Sequence, residues 1–100
     1  GLGAKARRLA IGVDAAREAL RRGVVEGLVL ARDASPRARD RLVALATHRA
    51  VDVLTGPTAE ELGRILGRPP VHGVAVLDRQ LARGLRAYLE ADDRGEKVRL

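Results

Sequence analysis

Apolar positions follow two different periods along the chain, and these periods predict alternating strands and helices. The continuous apolar run 28–31 is typical of a strand that is buried on both faces of a sheet, and 50–54 and 71–77 are similarly rich in valine. Elsewhere apolar residues recur every three or four positions, which is the spacing of an amphipathic helix. The predicted strands lie over residues 9–11, 28–31, 50–54 and 71–77, and helices precede, separate and follow them.

Capping residues mark where the predicted helices begin and end. Ser35 followed by Pro36 is typical of an N-cap and a first helical residue. Thr58 and Glu61 have the spacing of a capping box, in which the threonine caps and the glutamate reaches back to it. The other expected caps are Gly23 and Gly67 at helix C-termini and Asp78 at the start of the last helix.

This alternation predicts an α/β fold: a three-layer α/β/α sandwich with a small sheet that is largely parallel or mixed. The length of 100 residues suits one domain, which we expect over residues 1–91, followed by a charged C-terminal tail over 92–100. The core must be aliphatic, because Tyr88 is the only aromatic residue. In the helix after Thr58 we expect a buried stripe of Leu62, Ile65 and Leu66.

The net charge of +6 lies in the first half of the chain. Residues 1–50 hold 11 Lys and Arg against 5 acidic residues, whereas residues 51–100 balance. A net charge confined to one half indicates a polyanionic partner bound on that half. A GC-rich genome would explain why arginine outnumbers lysine 17 to 2, but it does not explain the asymmetry between the halves.

Few residues offer enzymatic or metal chemistry. The chain has no cysteine, which excludes disulfides, thiolate zinc sites and cysteine nucleophiles. His48 and His72 lie on different predicted elements, and Asp33 and Asp52, near strand ends, have no evident base or metal partner. We therefore predict no catalytic residue, no metal site and no cofactor. No apolar run approaches the roughly 18 residues that span a bilayer, so we expect no membrane partner and a cytoplasmic protein.

Gly12 is the first of two candidate binding features. It precedes a helix whose free N–H groups can bind a phosphate or a base edge, and its lack of a side chain lets a nucleic-acid backbone approach closely. Arg8, Arg17 and Arg21 are near enough in sequence to supply positive charge. The alternative is that Gly12 merely turns the chain and that the arginines form a solvated face.

The second feature is the rigid apolar loop Pro69-Pro70-Val71. Such a loop can simply connect a helix to a strand, or it can pack against unstacked bases of an RNA. The shortage of aromatic residues argues against a base-stacking platform. Of the modes of RNA binding, this leaves recognition of a structured RNA by its shape and backbone.

Several stretches together resemble one known family, the kink-turn RNA-binding ribosomal-protein superfamily (the L-seven-Ae / L-thirty-e family), and within it the small bacterial homologues. The resemblance covers roughly residues 2–90. It rests on Ala6-Arg7-Arg8-Leu9-Ala10-Ile11-Gly12 with the helix to Gly23, on Leu28 to Ser35, on Glu61-Leu62-Gly63-Arg64-Ile65-Leu66-Gly67, on Pro69-Pro70 and on Val74 to Asp78.

The resemblance implies an α/β/α sandwich that binds structured RNA, ribosomal RNA or another kink-turn RNA, without catalysis. In the family the glycine and the next few residues contact sheared G·A pairs of a kink-turn, and the loop before the last strand contacts the protruding nucleotide. The implied contacts are Gly12, Val13, Asp14 and Ala15, with Arg17 or Glu18 in the next turn, and Pro69, Pro70 and Val71.

The chain departs from the strongest family pattern at three positions. Archaeal and eukaryotic members have Asn-Glu where this chain has Asp14-Ala15, and lysine where it has Glu18. A carboxylate can still accept from a guanine amino group, but Ala15 has no polar side chain, and each base-edge contact is typically worth about 1–3 kcal/mol of discrimination. Kink-turn specificity can therefore be weakened, moved to another RNA or lost.

Three functional hypotheses follow. The first is a non-catalytic binder of structured RNA, kink-turn-like or ribosome-associated. The second is a protein-interaction or accessory domain of a larger bacterial protein that keeps the fold without specific RNA recognition. The third is the substrate-binding domain of an RNA-modifying enzyme. The chain opens with glycine and not methionine, so we expect either a trimmed chain or a piece of a longer protein, in which a further domain would be a partner.

Overall fold

The computed structural model describes residues 8–93, with side chains for residues 8–91, and this range contains four strands and four helices. The strands are β1 (Leu9–Ile11), β2 (Gly27–Ala31), β3 (Val53–Gly56) and β4 (Gly73–Val76), and the helices are α1 (Val13–Arg22), α2 (Pro36–His48), α3 (Ala59–Leu66) and α4 (Arg79–Asp93). The helix predicted at the N-terminus lies almost wholly outside the described residues. Helix α4 continues two residues past the expected end of the domain at residue 91.

The sheet is mixed and has the order β1-β4-β2-β3. Strand β4 is antiparallel to both of its neighbours, β1 and β2, while β2 and β3 are parallel. All five residues of β2 are buried, because this strand has a neighbour on each side and a helical layer on each face. The prediction of a buried central strand in a mixed sheet is confirmed.

Alternation along the strands divides the core between the two faces of the sheet. Leu28 and Leu30 point to the face covered by α1 and α2, where they pack with Leu20 and Leu42. Val29, between them in sequence, points to the opposite face, as strand geometry requires. There it joins a second cluster to which α3, α4 and β4 contribute Leu62, Ala82, Val74 and Val76. The predicted three-layer sandwich is confirmed.

Two predicted elements differ in detail. Strand β3 begins at Val53 rather than Ala50, because the preceding residues end α2: Ala50 has a positive φ of 57°, and the Val51 amide donates to the Ala46 carbonyl. The prediction that Ile65 is buried is wrong, since its side chain is 73% exposed. Helix α3 instead turns Gly63 inward, where it contacts the loop that follows.

The expected caps are confirmed. Ser35 accepts from the Ala38 amide, Asp78 accepts from the Leu81 amide at 2.9 Å, and Thr58 forms the full capping box with Glu61. The C-caps Gly23 and Gly67 have the left-handed conformation.

The topology brings three helix N-termini to one edge of the sheet. Strands β1, β2 and β3 all run in the same direction, and α1, α2 and α3 begin just after they end. The loop before antiparallel β4 enters at the same edge. The N-terminus of a helix carries a partial positive charge, so this edge, which we call the site edge, favours anions.

Candidate functional site

Gly12 lies at the site edge in a backbone conformation that only glycine adopts readily. Its φ of 101° and ψ of 159° belong to a region that is strained for any residue with a Cβ. A Cβ at this position would meet no atom within 4 Å, so the requirement for glycine comes from the backbone conformation and not from crowding. The same open space lets another molecule approach the backbone.

The first turn of α1 presents backbone donors to that space. The first N–H groups of a helix have no partner within the helix, and the first bond of α1 runs from the Ala16 amide to the Gly12 carbonyl at 2.9 Å. No side chain caps this N-terminus. The amides of Val13, Asp14 and Ala15 therefore lie beside Gly12 as donors for an external acceptor.

The loop before β4 is held firmly on α3. The Arg68 amide donates to the Gly63 carbonyl at 2.8 Å, and the Pro69 carbonyl occupies the position that a Cβ on residue 63 would need. Val71 is buried in the core, and its amide donates to the Ala59 carbonyl at 2.9 Å. Pro69 and Pro70 are exposed, so they form the accessible part of the loop while Val71 anchors it.

One hydrogen bond connects these two features. The Gly12 amide donates to the carbonyl of Gly73 at 2.9 Å, and Gly73 lies only three residues after Pro70. The adjacent carbonyl of His72 accepts from the Ala31 amide at 2.9 Å, which ties the end of β2 to the same place. The structure thus brings the start of α1 and the proline loop to one edge of the molecule.

The three candidate arginines are not equally placed. Arg17 lies in the second turn of α1, is half-buried, and has no acidic partner among the side chains that the structure describes. Arg21 is near the far end of that helix, about 12 Å from Val13 along the axis. Arg8 is at the opposite end of β1 from Gly12, about 13 Å away in an extended strand, and it pairs with Asp78 at 3.3 Å. The structure does not bring Arg8 to the site edge.

Asp14 has a neighbour that the sequence analysis did not identify. Its carboxylate lies 3.6 Å from the Arg41 guanidinium on α2, although its own side chain is 95% exposed. The sequence signal was the spacing of Arg37 and Arg41, one helical turn apart on the exposed side of α2.

The acids near strand ends have structural partners. Asp33 accepts from the Ala59 amide at 2.8 Å and so fixes the start of α3 against the end of β2. Asp52 pairs with Arg86 at 2.7 Å. These contacts explain both residues without a catalytic role.

The capping carboxylates have shifted acidities. The pKa of Glu61 is lowered, first by the hydrogen bonds from the Thr58 side chain and backbone and then by the charges of Arg32 and Arg64. The pKa of Asp78 is lowered chiefly by the hydrogen bond from the Leu81 amide, and the nearby charge of Arg8 lowers it further. Both shifts follow from helix capping.

The two histidines lie at different elements, and His72 is outside the strand in which the sequence placed it. His48 is exposed at the end of α2, and His72 is half-buried just before β4. The Nδ1 atom of His72 is buried and has no hydrogen-bond partner within residues 8–91. Over the same residues no three histidine or acidic side chains lie close enough together to hold a metal ion. None of the described helices has the length and apolar character to cross a bilayer.

A second surface lies on the face of the sheet that α3 and α4 cover, opposite the face covered by α1 and α2. An apolar groove of about 610 Å³ runs between α3 and α4, and we call it the α3–α4 groove. Its apolar side chains include Leu9, Val29, Leu62, Ile65, Leu66, Leu81, Leu85 and Leu89. The half-exposed Tyr88 of α4 also lines this groove.

Comparison with known proteins agrees with the fold. Residues 2–96 match the model of the ribosomal protein L7Ae/L30e/S12e/Gadd45 family. The chain belongs to this family. The match covers nearly the whole chain, so the family's class of function, RNA binding, is the class indicated here.

Solved structures include a similar protein from Bacillus halodurans C that is described only as a protein with unknown function. It is 27% identical, the alignment covers 90% of this chain and 91% of that one, and the TM-score is 0.78. No curated protein matches the sequence. The family therefore indicates RNA binding, while this neighbour adds the fold without a function.

Proposed function

We propose that the protein is a non-catalytic binder of structured RNA and that the RNA contacts the site edge through Gly12 and the Pro69-Pro70 loop. The observation that carries this proposal is the 2.9 Å bond between the Gly12 amide and the Gly73 carbonyl. This bond holds the start of α1, which no side chain caps, close to the exposed and rigid Pro69-Pro70 loop. Membership of an RNA-binding family supports the same function.

The site offers backbone and shape recognition more than base reading. The amides of the first turn of α1 can donate to phosphate oxygens, and Arg17 supplies a charge that no described acid neutralises. The exposed carboxylate of Asp14 can accept from a guanine amino group, whereas Ala15 offers no side-chain contact to a base edge. Pro69 and Pro70 are exposed and offer an apolar surface to an unstacked nucleotide.

A kink-turn is the RNA structure that this arrangement fits best. It combines a sharply bent backbone, which the open space at Gly12 admits, with a protruding nucleotide that reaches the proline loop. Ribosomal RNA or another kink-turn RNA in the bacterial cytoplasm is the proposed partner.

A salt titration tests the proposal directly. We expect the protein to bind a fluorescent kink-turn RNA more tightly than a plain duplex of the same length. Arg17→Ala should reduce the slope of log affinity against log salt by about 1. Arg83→Ala is the matched control, because Arg83 is exposed on α4, away from the site edge, and has no acidic partner among the described residues. Equal, weak binding of both RNAs would refute kink-turn recognition, and equal effects of the two variants would refute the site.

The α3–α4 groove favours a second candidate function, that of an accessory domain that binds a protein. Ile65 is 73% exposed at its rim, and a groove lined by aliphatic side chains suits an apolar helix or strand of a partner. Ile65→Glu should leave RNA binding unchanged if the RNA proposal holds. The competing outcome is a protein whose function in the cell is lost in the Ile65→Glu variant and retained in the Gly12 and Arg17 variants. That outcome would favour the accessory function over RNA binding.

A further inference from the structure

A band of arginines follows the line where α1 and α2 meet. We call this band the α1–α2 seam, and it consists of Arg17, Arg21, Arg37, Arg41 and Arg49. Two contacts show that these helix flanks face each other. The Arg41 guanidinium lies 3.6 Å from the Asp14 carboxylate, and the Arg49 guanidinium donates to the Arg21 carbonyl at 2.6 Å.

The α1 side of the seam follows from helical geometry. Residues three or four apart share a helix flank, so Arg17 lies on the same flank as Asp14 and Arg21, the two α1 residues that make these polar contacts. On α2 the same rule places Arg37 beside Arg41. Arg17 on α1 and Arg37 on α2 therefore lie on the two flanks that form the seam.

The charge of the seam is hardly compensated. Asp14 is the one acid whose contact with it is recorded for the described residues, and it pairs with Arg41 alone. Glu18 and Asp40 are exposed and make no ion pair with any side chain of residues 8–91. Arg17 and Arg37 likewise have no acidic partner in that part of the chain.

The position of Arg37 points to a ligand and not to stability. Helix α2 has no acidic residue in its first turn and instead carries Arg37 there. A cation at a helix N-terminus is unfavourable, because the macrodipole already places positive charge at that end. A bound anion would turn this unfavourable placement into a favourable one.

We infer that the α1–α2 seam is a second phosphate-binding track, along which the RNA backbone continues from the Gly12 site. This inference rests on the proposed RNA-binding function and adds the direction in which the RNA leaves the site. Both helices start at the site edge and run away from it, so the seam leads from Gly12 over the length of α1, about 15 Å. The ligand is the sugar-phosphate backbone of a stem, because guanidinium groups one turn apart contact neighbouring phosphates without reading bases.

The chain provides a matched pair of variants for the test. Arg37 and Arg39 are both exposed at the start of α2 and neither has a described acidic partner. At about 100° per residue, Arg39 lies on the opposite flank of α2 from Arg37, away from α1. The experiment measures the affinity of Arg37→Ala and Arg39→Ala, over a range of salt, for two kink-turn RNAs that differ only in the length of the flanking stem.

The expected result is specific to the seam. Arg37→Ala should lower the salt slope by about 0.9, the value for one lost phosphate contact, with both RNAs, because Arg37 lies in the first turn of α2 at the site edge. The wild type should have a steeper slope with the long-stem RNA, whose backbone continues along the seam. Arg39→Ala should match the wild type with both RNAs. The double variant Arg37→Ala, Arg41→Ala should remove about twice as much slope.

Failure of the seam and failure of the proposed function give different results. If Arg37→Ala and Arg39→Ala are equal while the wild type still prefers the kink-turn, the seam is not the track but the Gly12 site stands. If stem length does not matter to the wild type, the track is also refuted. If the wild type binds neither RNA, both proposals fail.

Discussion

The carbonyl of Pro69 occupies the space in which a side chain on Gly63 would begin. The Arg68 amide also donates to the Gly63 carbonyl at 2.8 Å, so the proline loop lies directly against the backbone of α3. This contact explains why the Glu-Leu-Gly stretch, which carries part of the family resemblance, ends in glycine. Its glycine allows the loop to reach the site edge.

Gly63→Ala is therefore expected to displace the Pro69-Pro70 loop. The added methyl group must push the Pro69 and Arg68 carbonyls away, because both belong to the backbone and cannot rotate aside. Overpacking of this kind typically costs about 1–3 kcal/mol of unfolding free energy. Chemical denaturation measures the loss, and a matching loss of RNA affinity would connect the loop to the site.

Gly84→Ala is the control for this substitution. Gly84 is exposed within α4, and a Cβ there would meet no atom within 4 Å. Alanine is the better helix former, so this variant should gain about 0.5–1 kcal/mol of stability and bind RNA normally. If Gly63→Ala changed the free energy of unfolding and the RNA affinity as Gly84→Ala does, the loop would not lie against the backbone of α3.

Gly12→Ala should strain the chain at the entrance to α1. The φ of 101° and ψ of 159° lie where residues with a Cβ pay about 1–3 kcal/mol. We expect a loss of that size in the free energy of unfolding and a weaker preference for kink-turn RNA, because the turn into α1 relaxes to a different path. Binding and denaturation measurements on the same variant check both effects.

Gly67→Asn distinguishes this strain from a general effect of losing a glycine. Gly67 has the left-handed conformation, with φ of 68° and ψ of 36°, which asparagine tolerates. Its cost should therefore be smaller than that of Gly12→Ala. Equal losses of unfolding free energy in the two variants would contradict the claim that Gly12 has a conformation which only glycine adopts readily.

The lowered pKa of Glu61 predicts an acid-dependent loss of stability. A group whose folded pKa is depressed stabilises the protein above its unfolded pKa, near 4.3 for glutamate, and this contribution disappears as pH falls through the lower folded value. The stability difference between the wild type and Glu61→Gln should be constant above about pH 5.5 and shrink below about pH 4. Denaturation at several pH values measures it, and a difference that grows on acidification would contradict the capping contacts.

The layers of the fold could be predicted because they depend on local patterns. The apolar run at β2, the caps Ser35 and Thr58, and the C-cap Gly67 each specify their element through a few neighbouring residues. The end of α2 could not be predicted so well, because Ala50 leaves the helix in a left-handed conformation that its residue type does not signal. Ile65 was misassigned because α3 rotates to seat the loop against Gly63, which is a tertiary contact.

The candidate site was predictable only in part for the same reason. Gly12 and the proline loop could be singled out as separate features, but their proximity depends on the pairing of β1 with β4, which sequence spacing does not reveal. Arg8 looked close to Gly12 in sequence, yet an extended strand separates them. Arg41 lies far from Asp14 in sequence and was missed because α1 and α2 pack side by side only in the folded chain.

The most direct test of the site is a map of backbone amide NMR shifts during titration with a kink-turn RNA. RNA binding at the site edge predicts that the largest changes fall on Gly12, Val13, Asp14 and Ala15 and on the amides that flank the two prolines, Arg68 and Val71. Residues that line the α3–α4 groove, such as Ile65 and Leu85, should shift little. Changes confined to that groove, or no changes at saturating RNA, would contradict the proposal that this protein binds structured RNA at the start of α1.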